Sequence, residues 1–142
     1  MANDTPHLPH AMRQEDLDVL QSILDKRGGF GHREHLELVF NYLQMYDVTE
    51  THGAVGAAIR HLAAAHGAPG KYHETITRAW VHLVALHRAA SDAACFDDFI
   101  AGNSGLLDRH LLEAHYSRQL LSTPRARARW TDPDLRALPA AV

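Results

Sequence analysis

The 142-residue chain holds a single cysteine, Cys95. That excludes an intramolecular disulfide framework and a cysteine-based zinc finger, and it fits a reducing compartment, with the cytoplasm as the expected location. No stretch reaches the roughly 18 apolar residues of a membrane span, and Met1 to Arg13 lacks the charged start and apolar run of a secretory signal. Aromatic residues make up 7% and the formal charge is −3, so a nucleic-acid surface relying on bulk positive potential is not encoded. Neither His-Glu-x-x-His nor Glu-x-x-His occurs, which removes the standard zinc-peptidase arrangement and the ferritin-like di-iron site. A Gly-x-Ser-x-Gly elbow is also missing, so a serine nucleophile has no support.

What the chain does have is helical period almost throughout. Leu17, Leu20, Ile23 and Leu24 recur at threes and fours before Arg27-Gly28-Gly29 stops the first helix. A second helix runs from His32 to about Tyr46 with Leu36, Val39, Phe40 and Leu43 on one face. A third, capped by Thr49 or Thr51, extends to His66-Gly67, and a fourth runs from about Tyr72 to Ala90. Phe96 to Ile100 reads as one or two turns, Leu106 to His115 as another helix, and Pro124 as the first residue of a brief segment ending near Trp130. No strand pattern appears. The expectation is an all-α, single-domain bundle of four to five long helices plus short C-terminal helical segments, with residues 1–13 a flexible tail, 14–131 the bundle and 132–142 an extended tail.

Twelve histidines are an excess for this length. Most read as surface passengers, among them His7, His10, His52, His61 and His110. His32 and His35 differ, because each precedes apolar positions of the second helix by four and seven residues and so projects toward the buried side. His73 repeats that placement at the head of the fourth helix. Both helices begin after a glycine. Three imidazoles are a ligand set that leaves a metal one open position, so His32, His35 and His73 are the candidate metal ligands. Nitrogen donors suit a divalent transition metal, with copper or iron favoured and zinc allowed.

Around that set, Glu74 adjoins His73 at a helix start, where it can cap the helix or act as a base, and Tyr72 can donate to a bound species. Lys71, His115 and Tyr116 are candidate substrate contacts, although His115 at a helix end can equally be stabilised by the last carbonyls. His66 and His87 are reserve ligands. Glu34 reads as a surface ion-pair partner of Arg33, Lys26 or Arg27, and Cys95 as a half-buried filler. Arg125, Arg127 and Arg129 read as exposed ion-pair partners of Asp132 and Asp134.

The strings Phe30-Gly-His-Arg-Glu-His-Leu36, His66-Gly-Ala-Pro-Gly-Lys-Tyr-His-Glu-Thr-Ile-Thr77 and Leu106-Leu107 to His115-Tyr-Ser117 resemble a family of small bacterial all-helical proteins with HREHL and KYHETIT-like motifs, over most of residues 15 to 138. The resemblance implies a shared site at the paired histidines and the Tyr-His-Glu-Thr segment, and supplies no reaction. The expected function is a metal-dependent enzyme acting on a small molecule, an oxidoreductase more readily than a hydrolase, with a non-catalytic metal- or ligand-binding helical protein as the alternative. A small-molecule substrate is the expected partner, without nucleic acid or membrane, and a homodimer is compatible with it.

Overall fold

A computed structural model describes residues 11–140. Most of the expected N-terminal tail, with His7 and His10, lies outside the described residues. The rest is all-helical: α1 (Gln14–Arg27), α2 (His32–Leu43), α3 (Val48–Ala65), α4 (Glu74–Ala89), α5 (Phe96–Gly102), α6 (Arg118–Leu121) and α7 (Pro124–Ala128). Tight 3-10 turns occupy Pro69–Lys71, Ser104–Leu107 and Leu111–Ala114, and there is no strand among the described residues. No helix of the described residues is long and apolar enough to cross a membrane.

Helix α2 is the hub, contacting α1, α3, α4 and α5. Four neighbours mean burial beyond one stripe: Leu38 and Tyr42 are as inaccessible as the expected Leu36, Val39 and Phe40. Tyr42 tolerates this because its hydroxyl donates to the Asp16 carbonyl at 2.9 Å. Glu37 is also buried, and its carboxylate accepts from Lys26 at 2.8 Å and from Arg27 Nε at 3.1 Å. Helix α1 ends as its glycines require. Gly28 takes the left-handed conformation (φ 75°) and its N–H returns to the Leu24 carbonyl.

Three boundaries differ from the sequence expectation. Asp47, rather than a threonine, caps α3 by accepting from the Glu50 N–H at 2.8 Å, which moves Thr51 inside the helix. The expected helix over Leu106 to His115 is two 3-10 turns. Asp108 between them is extended, and its carboxylate takes the His110 N–H at 3.0 Å, a local bond that competes with helix continuation. Helix α4 begins at Glu74, with His73 just outside it.

The small C-terminal helices close against α4. Thr75, fully buried, directs its hydroxyl to the Ala126 and Arg129 carbonyls at 2.6 and 2.8 Å. Pro124 is the first residue of α7, and the Thr123 hydroxyl caps it from the Ala126 N–H. Beyond Trp130 the chain has no regular structure, yet it is tied down. The Leu135 N–H reaches the His115 carbonyl, Asp134 accepts from both the backbone and the hydroxyl of Ser117, and Leu138 packs on the core.

Candidate functional site

The three candidate ligands are placed differently. His32 lies 4.5 Å from Trp80, ring centre to ring centre and edge-on, with its Nε2 2.8 Å from the Leu106 carbonyl, to which it donates in that tautomer. His35 lies near it, one turn into α2. Its Nε2 is buried and has no hydrogen-bond partner, and burial first, then the neighbouring His32, pushes its pKa down to about 4. His73 does something else. Extended at the N-cap position of α4, it accepts the Ile76 N–H on Nδ1 at 3.2 Å and donates from Nε2 to the Leu121 carbonyl at 2.8 Å. An imidazole thus fills the position that serine or aspartate usually takes. Burial lowers the pKa of His73, against the opposing pull of the Leu121 carbonyl.

Both nitrogens of His73 are occupied, and among the described residues no three His, Cys, Asp or Glu side chains form a group that could hold a metal. Each reserve histidine has one ring nitrogen engaged. His66 Nδ1 meets the Leu62 carbonyl at 2.9 Å and His87 Nδ1 meets Asn103 Oδ1 at 3.1 Å.

Tyr72 and Glu74 do come together. The tyrosine hydroxyl donates to Glu74 Oε1 at 2.6 Å, beneath the guanidinium of Arg60, which lies 4.2 Å from the Tyr72 ring centre and 3.4 Å from the same carboxylate oxygen. Burial, reinforced by Glu74, raises the Tyr72 pKa and keeps it a donor. Gly56 makes the approach possible, since a Cβ there would stand 3.0 Å from the Tyr72 hydroxyl oxygen. Lys71 is exposed in the turn before them.

His115 and Tyr116 are both buried, and both hold the C-terminal segment. His115 Nδ1 faces the Arg136 and Ala137 carbonyls at 3.0 and 3.1 Å, while the Tyr116 hydroxyl donates to the Thr131 carbonyl at 2.6 Å. Several ion-pair expectations need correcting. Glu34 accepts the Gly31 N–H instead of pairing with a cation, and Lys26 and Arg27 serve Glu37. Arg127 donates to the Gly70 and Tyr72 carbonyls, whereas Asp132 accepts from the Trp130 indole. Cys95, expected to be half-buried, is exposed.

A mainly apolar cavity among the described residues lies elsewhere. It measures about 490 Å³, within the range of small-molecule sites, and its walls come from α3, α4 and the C-terminal segment. His52, Arg78, His82, Trp130, Leu138 and Pro139 are the side chains that define it. His52, Gly56 and Arg60 follow one another at intervals of four on α3, and Glu74, Arg78 and His82 do so on α4. The Arg60 to Glu74 pair sets the register of these helices. The same pairing brings His52 of α3 within electrostatic reach of Glu74, Arg78 and His82 of α4.

Arg78 makes no hydrogen bond among the described residues, and its Nε is buried with Glu74 Oε2 only at 4.0 Å. Its guanidinium carbon lies 5.6 Å from the Trp130 ring centre. His52 Nε2 is likewise buried and unpartnered, and burial together with the charge of Arg78 pushes the His52 pKa down to about 4. His82 Nε2 is 2.6 Å from the Pro139 carbonyl, fixing the wall that Pro139 and Leu138 form. Sequence reasoning placed His52 among the passengers and passed over Arg78 and His82. The signal that was there is the pair of polar ladders at intervals of four. Comparison with family models, curated proteins and solved structures finds no match to this chain.

Proposed function

We propose that the protein binds a small molecule in the cavity between α3, α4 and the C-terminal segment, which makes it a ligand-binding helical protein. One observation carries this reading: Arg78, whose side chain makes no hydrogen bond among the described residues, lines a cavity with Trp130, Pro133, Leu138 and Pro139 as apolar walls and His52, His82 and Asp132 as its other polar residues. A guanidinium without a protein hydrogen bond keeps its donors for an acceptor on a ligand. An apolar enclosure with a few convergent polar groups is the usual form of such a site. The test is a nitrogen-15 NMR titration with a mixed set of small aromatic fragments. The expected result is movement of the Trp130 indole N–H signal together with backbone signals near His52, Arg78 and Leu138. Shifts gathered on another face, or none at millimolar fragment, would sink the reading.

A second reading keeps the metal-dependent enzyme, with oxidation if the ion is copper or iron and hydrolysis or hydration if it is zinc. Its support is His35, whose Nε2 is buried and unpartnered near His32. His73 would join such a site only by giving up the Ile76 N–H and the Leu121 carbonyl. In this reading Glu74 and Tyr72, hydrogen-bonded to each other at 2.6 Å, move protons for the bound substrate. Metal analysis of protein purified without a histidine tag decides the matter. One equivalent of a transition metal in wild type that is lost in His35→Ala supports the enzyme, and none in wild type after reconstitution with copper, iron or zinc overturns it.

A further inference from the structure

Resting on the cavity as the binding site, we propose that its ligand is a compact organic acid, with a single carboxylate held by Arg78 and a ring-sized apolar body against Trp130, Leu138 and Pro139. The charge arrangement selects an anion. Glu74, the carboxylate nearest to Arg78, is already engaged by the Tyr72 hydroxyl at 2.6 Å and by Arg60 at 3.4 Å, and reaches Arg78 only at 4.0 Å. Asp132, the one acid in the cavity wall, is exposed and its Oδ1 accepts the Trp130 indole N–H at 3.0 Å. Arg78 is thus a cation with five N–H donors and no acceptor, and its planar fork matches a carboxylate through two parallel bonds.

His52 is a further wall of the cavity with its Nε2 enclosed by protein atoms, and burial together with the Arg78 charge lowers its pKa to about 4, so it brings no second positive charge to the site. The site contains one guanidinium and no lysine, which suits a monoanion rather than a phosphate, whose two charges call for a cluster of cations. A cationic ligand would meet Arg78 directly. The remaining wall is apolar and includes an aromatic face, so the body of the ligand is a ring or a branched hydrocarbon rather than a sugar.

The experiment compares 2-naphthoate with its neutral isostere 2-naphthamide, each titrated into the wild-type protein while the Trp130 indole N–H signal is followed. Naphthoate is expected to bind at least tenfold more tightly than the amide. In Arg78→Gln that advantage is expected to vanish while the amide still moves the Trp130 signal, which also reports that the cavity is intact. Equal binding of the two probes to wild type overturns the acid proposal and leaves the cavity reading standing. An advantage that survives in Arg78→Gln overturns the assignment to Arg78. If neither probe moves the Trp130 signal the acid proposal fails, and the fragment titration alone then decides whether the cavity binds anything.

Discussion

His35→Leu is expected to flatten the pH dependence of stability by about 2–3 kcal/mol between pH 7 and pH 4.5. Burial holds the folded-state pKa of His35 near 4, below the ordinary histidine value of 6.5. Above pH 6.5 the imidazole is neutral in both states and contributes no slope. As pH falls through 6.5 the unfolded chain takes up a proton that the folded chain refuses, so stability drops, and the loss is complete for this residue near pH 4. His52 and His73, whose pKa values are also lowered, add losses of the same sign. Urea unfolding of wild type and His35→Leu at pH 7 and pH 4.5 measures the difference. At pH 7 the variant should be no less stable than wild type, because the substitution removes a buried nitrogen that has no partner. Parallel profiles for the two proteins would show that His35 is solvated or paired in a way this structure lacks.

The second large effect concerns Glu37, and it is asymmetric. The carboxylate side chain is 3% exposed, whereas its partners Lys26 and Arg27 are 53% and 24% exposed. Replacing both cations, as in Lys26→Met with Arg27→Met, strands a buried charge, and the expected cost is about 3–5 kcal/mol. Replacing the acid instead, as in Glu37→Gln, leaves two cations that can turn to water, and about 1–2 kcal/mol is expected. Chemical denaturation of the three proteins at pH 7 reads this ordering. A double methionine variant no less stable than Glu37→Gln would mean that the carboxylate reaches solvent or is protonated when its partners are removed.

The long helices were legible because each carries its own period and its own stop. The apolar stripe of α2 announced burial on one side, but nothing local announced that Tyr42 and Glu37 would be enclosed too. That follows from four neighbouring helices, with the Asp16 carbonyl and two α1 cations arriving from other parts of the chain. Leu106 to His115 misled because leucines at 106, 107, 111 and 112 suit a helix, while the decisive bond, Asp108 to the His110 N–H, is a side-chain effect that periodicity does not register. His73 read as a candidate metal ligand in the first turn of the fourth helix, and it stands just outside that helix, at its N-cap. Its observed partners, however, are a helix N–H and a carbonyl 48 residues away. The cavity was the least legible feature. It joins residue 52, residues 78 and 82, and residues 130 to 140, and a single chain read in order gives no reason to assemble them.

The wall formed by the C-terminal segment has a consequence for access. It is attached by His82 and His115 to backbone carbonyls, by Asp134 to Ser117, and by Leu138 to the core, whereas each long helix is buried along a whole face. Attachments of this kind open at lower free energy than a packed helix. Loss of these attachments is expected to open that wall of the cavity while α3 and α4 stay in place. A change near the C-terminus is then expected to alter how long a bound guest remains without weakening the helices that give the cavity its shape.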